Sequence, residues 1–95
     1  MEALLALDQA VLAALAHQGP ATGRGVAGRL GTRIPVYPVL RRLEYERLVS
    51  SRPLPGSTRR ARLYRITGRG AEALAVLRLW LTVVHVQTET KADRT

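Results

Sequence analysis

The chain has 95 residues, no cysteine, 46% hydrophobic and 23% charged content, a composition that makes one small globular domain and excludes disulfides, thiolate nucleophiles and cysteine-based zinc sites. Its net charge of +8 is unevenly placed, because residues 24–69 carry twelve arginines against two acids, Glu44 and Glu46, a local net of +10. A basic block between nearly neutral apolar ends predicts a polyanion-binding surface on a domain held together elsewhere.

The first predicted element is a helix over residues 3–17, ALLALDQAVLAALAH, built from strong helix formers and ended by the turn Gln18-Gly19-Pro20. This N-terminus lacks a basic region followed by a cleavage site, so no signal peptide is read and the expected compartment is the cytoplasm. Residues 22–30, TGRGVAGRL, form a second helix with Thr22 as N-cap and Val26 and Leu30 as its apolar pair, despite three glycines. A third helix spans roughly 35–46. It follows after the short connection Gly31–Ile34, the spacing of a helix-turn-helix. Pro35 fits its first turn, and Pro38 removes at most the first hydrogen bond. Val36, Leu40 and Leu43 face the core; Pro38, Arg41, Arg42 and Tyr45 lie opposite, with Tyr37 at the flank and Arg33 just before the helix.

The period then changes. Residues 48–55, LVSSRPLP, and 60–67, RARLYRIT, read as a two-stranded hairpin with an arginine-rich tip, Ser57, Thr58 and Arg59 lying in its turn. Pro53 and Pro55 confine the first strand to an edge and are expected to end its pairing early. Thr67 caps a last helix over about 68–87, and residues 88–95 read as a flexible tail. On that helix Arg78, Thr82, His85 and Glu89 form one narrow polar stripe, while apolar side chains such as Leu74, Leu77, Trp80, Leu81 and Val84 cover the rest. A helix so broadly apolar must be covered on two sides, and one small domain covers only one. A membrane span is the weaker reading, because the run of about 14 residues, which includes Arg78 and His85, is shorter than the ~20 a bilayer needs. Dimerisation is the better reading.

Among the motifs, GRGVAG at 23–28 is formally a GxGxxG, but a helix precedes it and no βαβ unit fits, so it is not a nucleotide fingerprint. His17 and His85 sit in separate helices, and no carboxylate pair, Ser-His-Asp set or metal-ligand spacing occurs. The chain is therefore not expected to be an enzyme, and no cofactor is implied. The recognition chemistry lies in the third helix. Arginine reads guanine bidentately or grips phosphate, and Arg52, Arg59, Arg60 and Arg62 of the hairpin form a second basic element beside it. A helix for the major groove next to a basic wing for backbone or minor groove makes one double-stranded DNA-binding device. Thr22 and Arg24, at the second helix's N-terminus, are placed to hold a phosphate. Tyr37 either packs under its helix or puts its hydroxyl on a phosphate.

The run VYPVLRRLEYERLVSS followed by RRARLYRITGRGAEAL resembles the PadR family of bacterial transcriptional regulators over about residues 4–80. The resemblance is carried by Tyr37, Pro38, Arg41, Arg42, Leu43 and Glu44, then Tyr64, Arg65, Thr67 and Gly70, together with the Gly19-Pro20 turn. It implies an α+β, mostly α fold: a winged helix-turn-helix over 1–67 with its wing at about 48–67, and a dimerisation helix over 68–87. It further implies a homodimer bound to a pseudo-palindromic operator, usually as a repressor. Some members respond to small aromatic effectors near the dimer interface, which makes Trp80 the candidate to stack a planar ligand; interface packing is its other reading. Three positions depart from the family pattern. Arg24 replaces an aromatic residue, Arg47 replaces a glycine whose absence strains a left-handed helix end, and Ile34 and Pro35 replace small residues. Two rivals to this regulator are an architectural nucleic-acid-binding protein without sequence preference and a protein-interaction module docking through the last helix.

Overall fold

A computed structural model describes residues 6–56 and 61–92, with side chains described as far as Val84. The chain order is α1 (Ala6–Gln18), β1 (Ala21–Thr22), α2 (Gly23–Leu30), α3 (Tyr37–Tyr45), β2 (Val49–Pro53), β3 (Arg62–Ile66) and α4 (Gly68–Ala92). The mostly helical α+β architecture agrees with the sequence reading. One strand was not foreseen: β1 pairs antiparallel with β3, Ala21 against Tyr64 and Thr22 against Leu63. The sheet order is therefore β1-β3-β2, with β2 on an edge as its prolines require.

Four helices and the sheet close over one apolar cluster. Val11, Leu12 and Leu15 come from α1, Val26 from α2, and Val36, Val39, Leu40 and Leu43 from α3 and its approach. Leu48, Val49, Tyr64 and Leu74 complete it. The inner side chains of α3 recur at the three-to-four-residue spacing that puts them on one face, which leaves its other face to solvent.

The caps explain the boundaries. The Thr22 hydroxyl accepts from the Gly25 amide at 3.1 Å, and Gly31 closes α2 in a left-handed conformation, φ 61°. Helix α3 begins at Tyr37, two residues later than expected, so Pro35 lies outside it. The first i→i−4 bond runs from the Leu40 amide to the Val36 carbonyl at 2.9 Å. Pro38 stands in the first turn, where no amide has a helical partner, and so removes no bond at all. At the other end the Arg47 amide bonds Glu44 O and the Leu48 amide bonds Leu43 O, both at 2.9 Å. These two bonds make a Schellman motif whose apolar contact is Leu43 with Leu48. Its left-handed residue is Arg47, φ 65°, the one described non-glycine residue with positive φ.

In the wing, pairing does not stop at the prolines. Pro53 stands opposite Arg62, and the Leu54 amide still reaches Ala61 O at 2.9 Å. Pro53 occupies a non-hydrogen-bonded position, so its missing donor points outward and costs the ladder nothing. Thr67 caps α4, accepting from the Gly70 amide at 3.0 Å and donating to Arg47 O at 2.7 Å. Gly70 lies so close to the preceding turn that a Cβ there would run into Leu48 O. Helix α4 continues to Ala92, well past the expected end at 87 and through most of the stretch read as a tail, because Glu89, Lys91 and Ala92 are good helix formers.

Candidate nucleic-acid interface

The outer face of α3 carries Tyr37, Pro38, Arg41 and Tyr45, all exposed, with Tyr45 88% accessible. Arg41 makes no hydrogen bond to any described residue and is free to take an external acceptor. Arg42, grouped with it in the sequence reading, is not equivalent. The step of one residue, ~100° around the helix, swings its guanidinium toward α1, where it pairs with the carboxylate of Asp8. The Asp8 side chain is only 6% exposed and that of Arg42 45%. Sequence reasoning missed Asp8. Its one signal was a lone carboxylate within an otherwise apolar helix.

Tyr37 is both packed and partly exposed. Its ring lies against Gly23 so closely that a Cβ on that glycine would stand 2.8 Å from the ring, while half of the residue remains open to solvent. This contact draws α3 to the N-terminus of α2 and frames a groove of about 480 Å³. Thr22, Arg24, Arg33 and Tyr37, four residues singled out from the sequence, all line it. Arg24 and Arg33 are exposed there, so the groove offers two cations beside the positive end of a helix.

The basic wing divides into two faces. Side chains alternate along a strand, so Arg62 shares a face with Ser51 and Tyr64, whereas Arg52 and Arg65 lie on the other. Arg62 Nε donates to Ser51 Oγ at 2.8 Å, and Ser51 Oγ donates to Glu44 Oε2 at 2.5 Å. A relay thus ties wing strand to α3, and Arg62 is committed to it rather than free. Arg65 Nε donates to Ser50 Oγ at 3.2 Å, and Arg52 is exposed without a bond to a described residue. Ser57, Thr58, Arg59 and Arg60, the expected wing tip, lie outside the described residues. Tyr64, beneath the relay, has its phenol pushed above the usual 10.0 by burial first, then by the nearby Glu44 charge. Arg29, part of the basic block, is spent internally: it donates to Gly19 O at 2.7 Å and holds α2 to the turn after α1.

On α4, Leu74 is only 5% exposed and belongs to the core of its own domain, which removes it from the expected dimer surface. Trp80, Leu81 and Val84 remain exposed and Leu77 half-buried. No helix among the described residues is long and apolar enough to cross a membrane.

The model of the transcriptional regulator PadR-like family matches residues 11–76, from within α1 through the wing to the first turns of α4. The chain belongs to this family. PadR-like proteins are transcription regulators and not enzymes. No curated protein matches the chain. Among solved structures, the PcaV transcriptional regulator from Streptomyces coelicolor, in complex with its natural ligand, is 26% identical with a TM-score of 0.74 over 97% of this chain. The chain spans 64% of the PcaV length, so it corresponds to less than two thirds of that regulator. A PadR-like transcription factor from Bacteroides fragilis shares the fold at TM-score 0.77 and 23% identity, covering 88% of this chain and 87% of that one. A mutant MarR from E. coli shares it at 0.80 and 21%, covering 94% and 65%. The PadR-like fold is therefore a winged helix also found in MarR.

Proposed function

We propose that this PadR-like protein is a homodimeric, sequence-specific DNA-binding regulator acting in the cytoplasm as a repressor on a pseudo-palindromic operator. Each protomer places α3 in a major groove, Arg41 reading a base edge with Tyr37 and Tyr45 on either side. Arg24 and Arg33 hold phosphates along the groove at α2, and Arg52 with the tip residues Arg59 and Arg60 grips the flanking backbone. The two recognition helices address half-sites about one helical turn apart. The observation that carries this reading is Arg41: an exposed guanidinium, without a hydrogen bond to a described residue, on a helix whose inner face is locked into the core. The exposed apolar side chains of α4, Trp80 at 62% and Leu79 at 68%, support a second copy as their cover. The ligand-bound state of PcaV supports an effector here too; we take it to be small and aromatic, with Trp80 as its stacking partner.

The test is Arg41→Ala against a selected duplex and scrambled duplexes. A base reader loses roughly tenfold or more on the selected duplex alone, as expected for a bidentate pair of ~1–3 kcal/mol. Equal weakening of every sequence demotes Arg41 to a phosphate contact. Light scattering should read twice the 10.4 kDa mass of the chain; a monomer at micromolar concentration refutes the dimer.

A further inference from the structure

The Asp8–Arg42 pair joins α1 to the recognition helix across 34 residues of sequence. The inner face of α3, Val39, Leu40 and Leu43, makes apolar contacts, and such contacts are non-directional. They hold the helix against the core, and two directional contacts on its flanks, Ser51 to Glu44 and Arg42 to Asp8, bear on its roll. A charge-assisted hydrogen bond is directional, and this one ends on a carboxylate that is buried while its partner remains half open to solvent. A buried carboxylate without a partner is costly, so Asp8 holds Arg42 in place as firmly as Arg42 satisfies Asp8. The pair also carries no net charge, which takes one of the two adjacent arginines out of the electrostatic footprint.

Resting on the DNA-binding reading above, we propose that Asp8 is a positioning residue for DNA recognition. It holds Arg42 on the flank of α3, fixes the roll that aims Arg41 outward, and keeps Arg42 off the phosphates. The basic pair is then one reader and one strut, and the strut's anchor lies on α1, outside the helix-turn-helix.

The experiment is the salt dependence of binding to a selected and a scrambled duplex, by fluorescence anisotropy between 50 and 200 mM salt, with fold checked by circular dichroism. Each phosphate contact contributes a slope of about −0.9 in log K against log salt. Asp8→Asn releases Arg42, and the slope should steepen by about 0.9 per protomer while the preference for the selected duplex falls at least about fivefold. Should that variant fail to fold, the double variant Asp8→Asn, Arg42→Gln replaces the ion pair by an amide pair. It should keep the wild-type slope and lose preference. A double-variant slope shallower by about 0.9 per protomer would mean that Arg42 contacts phosphate, and would overturn the proposal. An unchanged slope with unchanged preference in folded Asp8→Asn would overturn it equally. A wild-type chain that binds no duplex instead overturns the DNA-binding reading itself, and this proposal with it.

Discussion

Replacing Arg47 by glycine should stabilise the protein. The residue sits at φ 65° at the end of α3, held there by the two Schellman bonds and by the burial of Leu48. For a residue with a Cβ the left-handed conformation costs roughly 1–2 kcal/mol. Glycine removes that cost but brings extra freedom to the unfolded chain, worth about 0.4–1 kcal/mol against folding. The side chain of Arg47 is exposed, so little packing is lost with it. The net gain is about 0.5–1 kcal/mol, which for a domain of this size raises the melting temperature by ~2–8 °C. Urea unfolding followed by circular dichroism measures it, with Arg47→Ala as the control that removes the side chain but keeps the Cβ. Alanine should leave stability within about 0.5 kcal/mol of wild type, and glycine should exceed alanine. If the two variants unfold at the same urea concentration, no strain is stored at this position and the reasoning fails.

Other sites give sharper losses. Gly70→Ala places a Cβ against Leu48 O and Ile66, an overpacking of backbone that should cost about 3 kcal/mol in denaturant unfolding; a loss below ~1 kcal/mol would show that the turn yields easily. Tyr64 has a folded pKa raised above 10.0, with burial as the main cause. The unfolded chain therefore releases this proton first as pH rises, so stability is fully present below pH 10 and is lost as pH climbs through the raised value. Tyr64→Phe should show a smaller fall in stability than wild type as pH rises above 10, and an equal fall would refute the assignment.

Much of this was legible locally. The caps Thr22 and Thr67, the apolar spacing of α3 and the alternation of β3 are short-range signals, and each one marks its element. The prolines were legible too, once Pro38 is seen to fall where no donor is needed. What could not be read was non-local. Strand β1 is two residues long and owes its existence to Tyr64 and Leu63, some forty residues on. Arg41 and Arg42 look alike in sequence; only the packing of α1 on α3 shows that Asp8 takes one of them. Arg52 and Arg62 likewise fall on opposite faces of the wing, a distinction that depends on strand register. Leu74 shares the apolar run of Leu77 and Trp80 in sequence, but it lies early enough in α4 to be covered by its own core. The common cause is that propensity and periodicity describe one element at a time, whereas the partner of a charged side chain is set by how elements pack.

The most direct test of the central claim is selection of bound duplexes from a random pool with the intact protein. A dimeric base reader enriches a single motif with two inverted half-sites, centres about 10 base pairs apart, and loses that enrichment with Arg41→Ala. A pool that binds without enrichment, or an enriched motif that Arg41→Ala leaves unchanged, would contradict that claim.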